Sequence, residues 1–298
     1  MRLVHNSMKD NLKIDYVSDL HLEINGSAQD CVKPRDSEGD ILLLVGDITC
    51  YRYFKPERTD SESRSMKKRF QKFIQDQPHK EIFLIPGNHE YYGFYFEGAD
   101  KWMDGILRSI DPRLRILQNE LIIRNGVAIF GATLWTNMNN YNPLTMMAVG
   151  NGMRDFEIIG LKRDEDVTYE DRHRMGRVFK NRFGTETAYR EHCVTMANLR
   201  QYYDMFSDMP FVVATHHGPS FKSHSLERFG DTEIKYGYLT EYGDWISDSK
   251  IDYWIHGHTH HNVDYKLGNC QVTSAMYGYV GWDRKHYDRK LEYGRIEI

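Results

Sequence analysis

Residues 81–93 read E-I-F-L-I-P-G-N-H-E-Y-Y-G. The run Ile82 to Ile85 has the apolar and β-branched character of a buried strand, and Pro86-Gly87 ends it tightly. A turn needs no more than that pair. Yet Asn88, His89 and Glu90 follow at once, although asparagine is a poor strand residue and imidazole and carboxylate are costly to bury. Such a trio at a strand end points to chemistry if matching chemistry recurs along the chain.

It recurs. Leu12 to Val17 is followed by Ser18-Asp19-Leu20-His21, and Ile41 to Val45 by Gly46-Asp47. Phe211 to Ala214 is followed by Thr215-His216-His217-Gly218, and Tyr253 to Ile255 by His256-Gly257-His258-Thr259-His260. With Val127 to Phe130, these apolar runs, unbroken except by Lys13 and Asp15 in the first, fit strands buried on both faces. Between them lie helical spacings. Met66, Phe70, Phe73 and Ile74 share one face in 65–77, Trp102, Ile106, Leu107 and Ile110 in 97–110, and Met196, Leu199 and Tyr203 in 185–206. Strands alternating with helices predict an α/β layered domain. The stretches 262–266, 270–274 and 292–297 predict an antiparallel finish.

In parallel strands of one sheet, all five exits lie along one edge, where open α/β folds place their sites. Carboxylate and imidazole suit Mn, Fe, Zn or Ni, and no thiolate pair is offered. Asp19 and His21 are two residues apart, as are His258 and His260, so in extended chain each pair projects to one side. A catalytic ion usually takes three protein ligands, so the set is too large for one. Two ions about 3.5–4 Å apart that share a carboxylate use them all.

The series D-x-H, G-D, G-N-H-E, H and G-H-x-H, spread over residues 19 to 260, resembles the calcineurin-like metallophosphoesterases. The resemblance implies a four-layer α/β/β/α sandwich of two mixed sheets flanked by helices, with a dinuclear site at the strand ends. It implies that Asp19, His21, Asp47 and His260 hold one divalent metal, and that Asp47, Asn88, His216 and His258 hold the other, with Mn²⁺ the leading choice. It also implies that a hydroxide bridging the metals attacks the phosphorus while His89, facing the substrate, stabilises the transition state or protonates the leaving group. Glu90 is expected to orient His89 or to support a metal ligand. His217 is read as a surface or supporting histidine within reach of a phosphate oxygen, and Arg154 as a surface residue or a phosphate contact.

Bulk properties bound the rest. The chain of 298 residues is 40% hydrophobic and 28% charged, enough for one large domain, here read as a single phosphoesterase domain over 1–298. A net charge of −4 gives no general attraction to nucleic acid or anionic membrane, so a nucleic-acid substrate is not favoured. Cys31, Cys50, Cys193 and Cys270 form no C-x-x-C pair, which suits reduced thiols in the cytoplasm. No signal peptide is read in Met1 to Asn6, and no apolar run is long enough to span a bilayer. Residues 136–184, rich in Asn and charge, are read as an insertion over one edge of the domain. The expected substrate is a small phosphodiester or nucleotide, or a broad range of phosphate esters. A protein phosphatase, a nucleic-acid phosphoesterase and a non-catalytic metal-binding scaffold are the alternatives.

Overall fold

The computed structural model describes residues 11–25, 32–33, 39–162, 181–283 and 291–298. In chain order its strands are β1 Lys13–Val17, β2 Val32–Lys33, β3 Ile41–Val45, β4 Glu81–Ile85, β5 Leu114–Ile116, β6 Glu120–Arg124, β7 Val127–Ala132, β8 Phe211–Thr215, β9 Tyr253–His256, β10 Asp264–Leu267, β11 Cys270–Thr273, β12 Leu291–Glu292 and β13 Gly294–Glu297.

The layering follows from strands that are apolar on both faces. In β3, Ile41, Leu43 and Val45 enter one apolar layer while Leu42 and Leu44 enter another. In β8, Val212 and Ala214 join the first of these layers from the other side, and Phe211 and Val213 point away into a third. Period-two alternation thus gives each sheet two buried faces. One sheet has the order β13-β1-β3-β4-β5 and the other β10-β11-β9-β8-β7-β6, while β2 and β12 form a separate pair. Helices Ser61–Gln75 and Ala99–Ile110 cover the outer face of the first sheet through Phe70, Phe73, Met103 and Leu107. Helix Thr185–Phe206 covers the second through Met196 and Leu199. The result is a four-layer α/β/β/α sandwich.

Both sheets are mixed. β1, β3, β4 and β5 pair in parallel, and β13 runs antiparallel to β1. In the other sheet β7, β8, β9 and β11 are parallel, with β6 and β10 antiparallel at the edges. The five polar strand exits are therefore split: three leave the first sheet and two the second. The reading that placed them on the edge of a single sheet holds only within each sheet. They meet because the two sheets stack with their carboxyl ends together, as the bridge from Ser18 to Met276 and the His216 Nδ1–H donated to the Val45 carbonyl show. β5 and β6 were not legible in the sequence. Both are edge strands with part of their side chains exposed: β5 is interrupted by Arg115, and the short apolar run Leu121 to Ile123 of β6 is closed in by Glu120 and Arg124.

The stretch read as an insertion is built partly into the domain. Asn142 caps helix Pro143–Gly152 by accepting from the Leu144 and Thr145 amides, and helix Asp155–Ile158 follows. Met138, Val149, Met153, Phe156 and Ile159 are buried in the layer outside the first sheet. Residues 163–180 of that stretch lie outside the described residues.

Leu43 is fully buried between the sheets. Leu43→Ala is expected to lower unfolding stability by about 2–5 kcal/mol, read from the urea midpoint at unchanged slope.

Candidate metal centre

At the strand exits the backbone abandons extended geometry. Asp19 (φ 56°), His21 (φ 46°), Asp47 (φ 56°), His258 (φ 72°) and His260 (φ 48°) all occupy the left-handed region. Residues other than glycine seldom do so, and each such position costs about 1–3 kcal/mol unless its surroundings compel it. The extended pairs expected for Asp19/His21 and His258/His260 are thus corrected. The side chains converge because the chain turns sharply at each residue. Neighbouring backbone holds those turns: the Asp19 amide donates to the Gly46 carbonyl at 3.0 Å and the His21 amide to the Asp47 carbonyl at 2.9 Å. The His258 amide donates to Asp19 Oδ1 at 3.0 Å.

Two groups of electron-rich atoms result. In the first, His21 Nδ1 faces Glu23 Oε1 at 3.3 Å and His260 Nδ1 faces Asp283 Oδ2 at 2.5 Å, so each ring gives its Nδ1–H to a carboxylate. Their Nε2 lone pairs then face each other at 3.0 Å, with Asp19 Oδ1 3.2 Å from His260 Nε2 and Asp47 Oδ2 3.7 Å from His21 Nε2. Burial, together with the charge of His89, pushes the His21 pKa down and keeps that ring neutral. Lone pairs and carboxylates crowded this closely repel unless a cation lies among them.

The second group forms around the other oxygen of Asp47. His216 gives its Nδ1–H to the Val45 carbonyl at 2.9 Å, and its Nε2 lies 3.3 Å from Asp47 Oδ1 and 3.0 Å from Asn88 Oδ1. The Asn88 amide is turned this way because its Nδ2 donates to Asp155 Oδ1 at 2.6 Å. His258 Nε2 is buried without a hydrogen-bond partner. Burial and the neighbouring His217 and His216 push the His258 pKa well down, leaving a neutral ring with a free lone pair. In the protein alone, burial lowers the His216 pKa, but the Asp47 carboxylate outweighs it and holds the ring up to about 10. A proton there plays the electrostatic part that a metal ion would play. The donor atoms of Asp19, His21 and His260 lie within 4.8 Å of one another, as do those of Asp47, His216 and His258, so both sets fit a divalent cation.

Of the two parts expected of Glu90, its contacts fit the support of a metal ligand, Asp47. Glu90 does not touch His89. Its buried carboxylate accepts the backbone N–H groups of Asp47 (2.8 Å), Ile48 (2.8 Å), Thr49 (3.2 Å) and Gly87 (2.7 Å), and so fastens the Asp47 turn. Glycine is required beside that turn, since a Cβ on Gly87 would stand 2.2 Å from Asp47 Oδ1. The residue that orients His89 is Glu23, whose Oε1 accepts from His89 Nδ1 at 2.8 Å. On its other side His89 Nε2 lies 3.0 Å from the Tyr279 hydroxyl, and the ring stacks on Tyr92 at 4.0 Å. Burial lowers the His89 pKa, but the Asp47 and Glu23 carboxylates outweigh it and hold it up to about 9. In the protein without metal His89 is thus held as an imidazolium at neutral pH, and it lines a cleft of about 750 Å³.

His217 is not a surface residue. It is buried with its ring 4.3 Å from that of His258, donates Nδ1–H to the Thr133 carbonyl at 3.0 Å, and burial pushes its pKa down to about 3. It supports His258 and does not line the cleft. Arg154 is exposed and does line it. Glu23, Asp155, Tyr279 and Asp283 were missed from the sequence. Glu23 continues the alternation of Asp19 and His21, a signal that could have found it. Asp155, Tyr279 and Asp283 belong to no metal-ligand spacing.

The sequence matches the calcineurin-like phosphoesterase family over residues 12–262. The chain belongs to that family. Among relatives of this phosphoesterase, an uncharacterized protein of Acanthamoeba polyphaga mimivirus is 23% identical over 289 residues, covering 89% of this chain and 90% of the relative. The crystal structure of phosphopantetheinyl hydrolase from Mycobacterium tuberculosis aligns with TM-score 0.63 at 14% identity, covering 98% of this chain and 97% of that one. That likeness shows a shared fold. A dimetal phosphatase from Danio rerio aligns over 89% of this chain and 87% of its own at 11% identity, with TM-score 0.46.

Two outcomes are expected of this phosphoesterase's site. Asp155→Ala frees the Asn88 amide to turn, so Mn²⁺ affinity measured by calorimetry falls about 10–100-fold while the far-ultraviolet circular dichroism stays unchanged. In metal-free protein the His89 ring is protonated at neutral pH and loses its proton as pH rises through about 9. Glu23→Gln removes one of the three carboxylates, Asp47, Glu23 and Asp155, that raise this pKa, so the titration followed by NMR moves to lower pH.

Proposed function

We propose that this protein hydrolyses phosphate esters of small molecules or nucleotides, as a phosphodiesterase or a broad-specificity phosphatase, with two divalent cations of which Mn²⁺ is the leading candidate. The observation that carries this reading is the placement of Asp47, which turns Oδ1 toward His216 and Oδ2 toward His21. In this reading Asp19, His21, Asp47 and His260 hold one cation, and Asp47, Asn88, His216 and His258 hold the other. Such cations, when bound, neutralise the anionic ester oxygens and make water nucleophilic near neutral pH.

The remaining work falls to the protein's own groups. When the P–O bond breaks, the departing oxygen carries negative charge and needs a proton. His89 Nε2 faces the cleft and is placed to give that proton to the departing oxygen, while Glu23 on Nδ1 fixes the ring. The Tyr279 hydroxyl, 3.0 Å from Nε2, marks the place of the departing oxygen. Arg154 on the cleft wall suits a non-bridging phosphoryl oxygen. Burial of Asp19, Asp47 and His216 limits water at the centre and strengthens each of these electrostatic contacts. The scaffold reading is disfavoured because His89, which a metal-holding platform would not need, is present and oriented by Glu23.

The experiment pairs metal analysis with turnover of mono- and bis-p-nitrophenyl phosphate and of a simple alkyl phosphate in Mn²⁺. His89→Ala should keep its metal and its fold yet lose about 10²–10⁴-fold in turnover of the alkyl ester, whose poor leaving group needs the proton. Asp47→Ala should lose metal and activity together. Wild-type rates for His89→Ala on the alkyl ester would overturn the role given to His89. A wild-type protein that binds metal but turns over none of these esters would count against the hydrolase reading.

A further inference from the structure

The cleft has a second kind of surface beside its polar floor. Trp282 lines it and is 91% exposed, and Ile24 lines it at 54% exposed, so the fold leaves both largely unburied at the edge of the proposed centre. Single exposed apolar residues are ordinary on protein surfaces. These two differ in being braced. Buried Asn25, next to Ile24, donates to the Gly278 carbonyl at 2.9 Å and to the Leu20 carbonyl at 2.8 Å, and accepts the Val280 amide at 3.0 Å. It therefore ties the short helix Leu22–Asn25 to the turn that carries Val280 and Trp282. Asp283, next to Trp282, accepts the Tyr279 amide at 2.6 Å and His260 Nδ1 at 2.5 Å. The turn is closed on itself and hung on a histidine of the first metal-ligand group. An indole is thus anchored one residue from a contact to that centre while its ring stays open to the cleft.

We infer that Ile24, Val280 and Trp282 form a platform for a planar aromatic group of the substrate, and that the preferred substrates are nucleotide phosphoesters, with the phosphoryl group at the centre and the nucleobase against the Trp282 ring. This inference rests on the hydrolase reading above for its phosphoryl end. An open indole face attracts any base by stacking, since every base has a π-face. Of the three described side chains that form the platform, only the indole of Trp282 carries a polar group, a single N–H. The platform therefore separates esters that carry a base from those that do not, and discriminates little among the bases.

The test uses the full chain loaded with Mn²⁺ and two diesters with the same non-aromatic leaving group, ethyl thymidine 5′-phosphate and ethyl methyl phosphate, read by ethanol release. The wild type should favour the thymidine ester at least about 10-fold in kcat/KM. Trp282→Ala should raise KM for that ester about 10-fold or more, leave kcat and the methyl ester unchanged, and so abolish the preference, while Trp282→Phe restores part of it. A Trp282→Ala variant with an undiminished preference, or a wild type that favours the methyl ester, overturns the inference. A second arm reads the platform without turnover: adenosine monophosphate should quench tryptophan fluorescence in the wild type and lose most of that quench in Trp282→Ala. Quenching of that kind with no turnover of either ester would sink the hydrolase reading and keep the platform. No quenching in the wild type would sink the platform itself.

Discussion

A buried carboxylate facing two sets of lone pairs organises this molecule. Asp47 sits where the carboxyl ends of two stacked sheets meet, with one oxygen toward the His21 side and the other toward His216. Without compensating positive charge the arrangement is unfavourable: burial alone raises the Asp47 pKa, and only the surrounding histidines, His216 and His89 foremost, carry it well below the ordinary carboxylate range. The protein alone meets this demand with protons on His216 and His89. A pair of divalent cations would meet it more fully, and the carboxylates behind His21 and His260 already turn the Nε2 lone pairs inward to receive them.

Holding like charges together requires a stiff frame. The left-handed backbone at Asp19, His21, Asp47, His258 and His260 is strain that the three apolar layers of the sandwich compel. Glu90 does comparable work at closer range, gathering four backbone amides so that the turn after β3 and the turn after β4 move as one piece. The centre is therefore preorganised: its groups do not wait for a ligand to bring them together.

Around this shared frame, two segments give the site its individual character. The stretch that carries Asp155 reaches in to orient Asn88, and the turn from Gly278 to Asp283 supplies Tyr279 against His89 and Asp283 against His260. Such segments hang on the strand framework without being part of it, so they can differ among proteins of this fold while the centre stays the same. Trp282 belongs to the second of them, which is why the nature of the leaving or retained group is to be sought there.

Much of this was legible before any coordinates. The strand runs, the helices over 65–77, 97–110 and 185–206, and the polar residue after each buried strand follow local rules of periodicity and burial cost, which act within a few residues of sequence. The two-sheet sandwich was reached through the motif resemblance, and strand periodicity alone placed the exits on one sheet. Other features depended on residues far apart in the chain: Glu23 rather than Glu90 behind His89, the burial of His217, the hold of Asp155 on Asn88, and the bracket that leaves Trp282 open. Each is a contact across tens or hundreds of residues. Local patterning determines which side chains are available at a strand end. Only the stacking of the two sheets, which sets every distance between those ends, decides which of them meet.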